Sequence, residues 1–231
     1  MKRAVKPLAR FALAAIAISL TAIISQAQIG WTSKRIGSGG KDLNAVYFTD
    51  AKHGWVGGDA GFLAHTDDGG ASWEILHAPS QAELIHIDFV DEKHGWIVGA
   101  DGTILRTEDS GDSWTKQVSG TTATLYHVDF RNENQGWAVG ERGTIVRTID
   151  GGRSWTAVES PARATLLSVQ FVGEGDGWIV GRGGIILRSG DGGRTWVEQE
   201  STTKQNLYAL FMNKKNGWAV GSDGLILRYE R

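Results

Sequence analysis

The sequence predicts an all-β protein, a five-bladed β-propeller of four-stranded antiparallel blades, and three observations carry that prediction. Leu43, Leu84, Leu125, Leu166 and Leu207 open similar segments 41 residues apart. Twelve residues on, or eleven in the last copy, stands the tryptophan of a Gly-Trp pair: Trp55, Trp96, Trp137, Trp178 and Trp218. Within each copy, runs alternating in period two are separated by glycine-rich turns, the pattern of short strands joined by hairpins.

Each repeat resolves into four strands. Leu125-Tyr126-His127-Val128-Asp129-Phe130 alternates as a first strand, and Gly136-Trp137-Ala138-Val139-Gly140 forms the second. The Gly140-Glu141-Arg142-Gly143 corner predicts a tight hairpin with positive φ at its glycines. A third strand follows, then a Gly-rich turn and a fourth strand opening with Trp. One such sheet cannot bury both faces alone, so neighbouring sheets must stack, and radial stacking gives a propeller.

The ring is expected to close through its ends. Trp73, Trp114, Trp155 and Trp196 open the fourth strands of the first four copies, but the fifth copy stops at Arg231 before reaching that strand. Trp31 lies 42 residues before Trp73, so a strand over residues 28–35 is predicted to complete the fifth blade. Residues 28–231 then form one propeller, a monomer.

Composition narrows the function. The 231 residues include 32 Gly and 10 Trp but no Cys, which excludes disulfides, thiolate nucleophiles and cysteine-ligated metals. Residues 1–10 are basic, Phe11 to Ile24 is an unbroken apolar and small-residue run, and Ser25-Gln26-Ala27 suits a cleavage site. Residues 1–27 therefore read as a signal peptide, too short for a permanent span after cleavage, and the mature chain is expected in a periplasm, a thylakoid lumen or outside the cell. Without those residues, 20 basic and 26 acidic side chains leave a net charge of −6, which argues against a nucleic-acid partner.

The turn before each fourth strand reads Ser/Thr-x-Asp-x-Gly-x-Ser/Thr-Trp, with Asp68, Asp109, Asp150 and Asp191 ahead of Trp73, Trp114, Trp155 and Trp196. The carboxylate and hydroxyls can accept backbone N–H groups, glycine takes a left-handed corner and Trp anchors the turn, so this Asp box is structural. It offers too few carboxylates to be a convincing metal site, and no cofactor is expected.

These turns resemble the BNR or Asp-box repeat of sialidase-like propellers. The whole unit is similar to the photosystem II stability and assembly factor family, over nearly all of residues 28–231. The resemblance implies a lumenal or periplasmic, non-enzymatic scaffold that binds a protein or peptide such as an unassembled membrane-complex subunit. Photosynthetic members have seven blades, whereas this chain has five repeats. The alternative is a sialidase-like glycoside hydrolase or a glycan-binding propeller. Against it, the Phe-Arg-Ile-Pro segment of sialidases is missing, and Tyr47, Tyr126, Tyr208 and Tyr229 all sit in repeat strands.

Two residue sets are candidate sites. Ten residues after each Gly-Trp tryptophan stand His65, Arg106, Arg147, Arg188 and Arg228. They either cover the fourth-strand tryptophans or pair with nearby acids, or they form a ring of cations for an acidic peptide or C-terminal carboxylate. His86, Asp88, His127 and Asp129 occupy equal positions on the first strands of copies two and three, where they would line the central channel or hold a divalent ion. The variable stretches between blades, such as 78–83 and 119–124, point to recognition on the face opposite the Asp boxes.

Overall fold

The computed structural model describes residues 30–37 and 39–230. Each repeat folds as one antiparallel meander. The first sheet holds β1 (Leu43–Phe48), β2 (Gly54–Gly58), β3 (Leu63–Thr66) and β4 (Glu74–Leu76), and the second holds β5 (Leu84–Phe89), β6 (Gly95–Gly99), β7 (Ile104–Thr107) and β8 (Thr115–Lys116). The third runs through β9 (Leu125–Phe130), β10 (Gly136–Gly140), β11 (Ile145–Thr148) and β12 (Thr156–Ala157), and the fourth through β13 (Leu166–Val172), β14 (Asp176–Gly181), β15 (Ile186–Ser189) and β16 (Val197–Gln199). The fifth has three strands, β17 (Leu207–Met212), β18 (Asn216–Gly221) and β19 (Ile226–Glu230). Successive sheets meet through their first strands, β1 on β5, β5 on β9, β9 on β13 and β13 on β17.

The Gly-Trp pair explains how the sheets stack. Trp96 lies flat on Phe130 of the next sheet, with centroids 3.4 Å apart and planes within 8°. Trp137 lies on Phe171 at 3.5 Å, and Trp55 on Phe89 at 4.4 Å. Each of these phenylalanines then meets the Asp-box tryptophan of its own sheet edge-on, as Phe130 meets Trp155 at 5.8 Å and 86°. Each of the first three seams thus receives a stacked pair and a T-shaped pair, both favoured geometries for aromatic quadrupoles. The glycine before each tryptophan is sterically required. A Cβ on Gly136 would stand 2.5 Å from the Phe130 ring of its own sheet, and Gly54, Gly95 and Gly177 are crowded in the same way.

Turns divide the molecule into two faces. On one, Asp109 receives the hydroxyls of Thr107 (2.7 Å) and Ser113 (2.5 Å) and the backbone N–H of Ser113 (3.0 Å). The same set recurs at Asp68, Asp150 and Asp191, so the structural role expected of the Asp boxes is met by explicit bonds. Each box docks on the turn between the first two strands, through bonds such as Gly151 N–H to the Asn134 carbonyl at 2.9 Å. On the opposite face, the hairpin corners are single 3-10 turns. Their positive φ falls on the residue before the second glycine, as at Asp101 (55°) and Arg142 (55°), and on that second glycine. The first glycine is extended and is needed because a Cβ on Gly99 would overlap the Glu83 carbonyl.

Among the described residues, 30–36 carry no strand and the fifth sheet holds the three strands β17, β18 and β19. The leader over 1–27 and the start of the expected strand at Gln28 lie outside the described residues. The row of sheets keeps two uncovered apolar ends, with Val46 and Phe48 exposed on the first sheet and Phe211, Val220 and Ile226 on the fifth. Ile36 packs on Val56, Phe62 and Ala64, on the first sheet's own apolar face.

Two stability predictions follow from these contacts. Gly136→Ala should lower stability by about 1–3 kcal/mol through overpacking against Phe130, and Asp109→Ala by about 1–3 kcal/mol through loss of its accepted bonds. Chemical denaturation of each variant checks both values, and wild-type midpoints would contradict these roles.

Candidate functional site

The first strands carry a ladder that binds each sheet to the next. Position by position, the Tyr47 hydroxyl donates to the Phe89 carbonyl (2.9 Å), and Asp88 accepts from the Phe130 N–H (2.8 Å). Asp129 accepts from Phe171 (2.9 Å), and Gln170 accepts from Met212 (2.7 Å). His86 and His127 stack on one another with centroids 3.8 Å apart. Burial holds both imidazoles neutral, pulling His86 down to about 4 and His127 well below its ordinary value, the latter helped by its His86 neighbour. Burial also pushes Asp88 up to about 6, and burial together with the Asp88 charge pushes Asp129 up to about 7.

This set does not converge as a metal centre. Among the described residues, only Asp91, His94 and Glu133 bring three ligating atoms within 4.8 Å of one another, and they lie on the Asp-box face. Asp88 and Asp129 serve as inter-sheet backbone acceptors. What sequence spacing could not show is that residue 88 of one sheet meets residue 130 of the next.

The His65/Arg series is positioned by strand pairing. His65, Arg106, Arg147, Arg188 and Arg228 stand directly across from Trp55, Trp96, Trp137, Trp178 and Trp218 in the neighbouring strand. The aromatic partner is therefore the Gly-Trp indole and not the fourth-strand tryptophan. Arg188 lies 5.1 Å from the Trp178 ring and Arg147 5.9 Å from Trp137.

The members of the series are not equivalent. Arg106, 7% exposed, pairs with Glu108, which Arg153 of the third sheet's Asp box also reaches at 3.1 Å. Arg188 pairs with Asp176 at 3.0 Å and the exposed Arg228 with Glu230 at 2.6 Å. Arg147 has no carboxylate partner among the described residues. Burial and the charges of Arg194 and Arg131 lower its pKa. A cleft of about 320 Å³ opens there, lined by Arg147, Arg194, Ser154, Thr156 and Glu159 among others.

The variable stretches between sheets, by contrast, are pinned. Gly61 and Gly102 donate to the Ala82 and Ala123 carbonyls at 2.9 and 3.0 Å, and Ser80 and Ser119 are buried.

Asp129 supplies a pH test with a definite sign. In the folded chain it keeps its proton to about pH 7, whereas an unfolded aspartate releases it near pH 4. The folded state binds more protons across that window, so Asp129 lowers stability as pH rises from about 4 to about 7. Asn at this position removes the titration while its amide oxygen can still accept from Phe171. Stability of Asp129→Asn minus wild type should therefore increase from pH 4 to pH 7 by about 3 kcal/mol, measured by denaturant titration. A flat or falling difference contradicts the assignment.

Comparison with solved structures shows shared architecture. The structure titled YCF48 bound to D1 peptide aligns with 83% of this chain and 92% of its own, at 20% identity and a TM-score of 0.50. The WD40 β-propeller domain of Doa1 aligns with 82% of this chain and 65% of its own, at 14% identity and a TM-score of 0.63. A GH74 enzyme from Niastella koreensis aligns with 81% of this chain and 30% of its own, at 18% identity and a TM-score of 0.58. These likenesses establish the propeller fold. No curated protein matches the sequence. The profile described as photosynthesis system II assembly factor YCF48 matches residues 25–116, 116–204 and 162–230, and with nearly all of its repeats so matched the chain belongs to that family.

Proposed function

We propose that this protein is a non-enzymatic, exported scaffold that holds an acidic peptide segment or C-terminal carboxylate of a protein awaiting assembly. The observation that carries the reading is Arg147: a partly buried guanidinium on the Asp-box face, without an ion-paired carboxylate among the described residues and with Arg194 and Arg131 outweighing Asp191 in its surroundings. Like charges gathered at a cleft are relieved by an anion, and two forked guanidiniums suit a carboxylate in bidentate geometry. Family membership supports the assembly role, and a relative has been solved with a D1 peptide bound.

A binding role also accounts for how the acids are used. Hydrolysis of a glycoside requires two carboxylates free to act on one bond. Of the acids at equivalent repeat positions, Asp88 and Asp129 accept inter-sheet N–H groups and the four Asp-box aspartates are occupied in their turns, which leaves Asp67, Glu92 and Asp112 of the first seam at a cleft without a lysine or arginine partner among the described residues. The leader-like first 27 residues support export to a lumen or periplasm. Among the described residues, no helix is long and apolar enough to cross a membrane.

The test is binding of acidic peptides with free C-termini against their amidated, neutral counterparts. Arg147→Ala combined with Arg194→Ala should weaken the acidic peptide by about tenfold or more and flatten the salt dependence. Equal affinity for both peptides, or unchanged affinity in the double variant, would remove Arg147 from the function.

A further inference from the structure

We infer that the seam between the first and second sheets is a receptor for a guanidinium group supplied from outside the chain. The argument rests on comparing this seam with the next one, where the protein supplies that group itself. At the second seam, Arg106 stands across from Trp96, Glu108 bridges it to Arg153, and its guanidinium lies against the Asp-box turn at Gly151. Exactly one repeat earlier, the corresponding positions are His65, Asp67, Asp112 and Ser110. The arginine has become a shorter imidazole and the bridging arginine an aspartate.

The consequence is a cleft of about 370 Å³ lined by Asp50, His53, Trp55, His65, Asp67, Glu92, Ser110 and Asp112, among others. Asp67, Glu92 and Asp112 form no ion pair with lysine or arginine among the described residues. Asp50 is engaged by the His53 ring at 2.8 Å. His65 does not neutralise the acids, because burial and then the His53 charge lower its pKa. Trp55, 1% exposed, lines the cleft, and its buried indole N–H has no hydrogen-bond partner. The site thus keeps the aromatic wall and gains acidic charge while losing its internal cation.

Geometry selects the ligand class. The His53 and His65 rings lie within 11° of parallel with centroids 6.4 Å apart, in the range of an offset stack, and both line the slot between the carboxylates. His65 itself rests on Trp55 at 4.8 Å. Carboxylates around an aromatic-walled slot suit a planar guanidinium, which stacks and forks at once. A bare metal ion is a poorer fit, since no three ligating atoms of this cleft come within 4.8 Å of one another among the described residues. The cleft lies two seams from Arg147 on the same Asp-box face, and its occupation does not depend on the carboxylate reading of that site.

The probes are an acetylated Gly-Arg-Gly amide, its citrulline counterpart and free arginine, followed by shifts of the His65 and Trp55 side-chain resonances. The arginine peptide should shift them saturably, and the neutral citrulline peptide should bind about tenfold more weakly or not at all. Stronger binding of the peptide than of free arginine identifies a polypeptide source, and equal binding a free guanidinium compound. His65→Arg should restore the internal cation and abolish binding while leaving the fold as stable as the parent. The double change Asp67→Asn and Asp112→Asn should weaken binding independently of any effect at His65. Absence of binding by wild type, equal binding of citrulline, or undiminished binding in both variants overturns the inference.

Discussion

The face-to-face contact between the Gly-Trp indole of one sheet and the phenylalanine of the next is the constraint on which the rest of the structure depends. It explains the glycine, because the phenylalanine of each sheet lies across the spot where that glycine's Cβ would stand. It explains the Asp box, whose tryptophan closes the other side of the phenylalanine and whose turn reaches the neighbouring indole. Trp96 donates to the Gly151 carbonyl at 3.1 Å, tying the second sheet to the third sheet's box. It also sets the place of the cationic series, which must lie beside that indole because strand pairing puts it there.

With the skeleton fixed, chemistry is written by substitution at a few equivalent positions. The residue across from the indole and two residues of the Asp-box turn decide the charge of each seam. His65, Asp67 and Asp112 make the first seam acidic, Arg106, Glu108 and Arg153 balance the second, and Arg147 with Arg194 makes the third basic. The fourth seam departs in packing as well: Met212 stands where the other copies have phenylalanine, and Trp178 meets Tyr229 at 4.8 Å. A repeat protein can diversify in this way without renewing its core, because each interface is nearly independent of the others.

Much of this was legible in the residues. The 41-residue period, the alternation of the first strands and the Asp boxes specify local structure directly, and strands and turns form where they predict. Contacts between repeats were less legible, since spacing fixes equivalence but not which neighbour is touched. Hence spacing gives Asp88 and Asp129 equivalent places without their role as backbone acceptors, and gives the arginines a common position without their separate partners. The expected return of residues 28–35 to the fifth sheet rests on counting tryptophans, which carries no information on local packing such as that of Ile36 on the first sheet.

The most direct test of the account is a double-mutant cycle across the second seam, with Trp96→Leu, Phe130→Leu and both together, read by denaturant unfolding. If the stacked pair holds the sheets together, the coupling between the two positions will be about 0.5–1.5 kcal/mol beyond the individual losses of burial. Additivity within about 0.3 kcal/mol would show that the rings merely fill space, and would contradict the claim that their contact organises the seam.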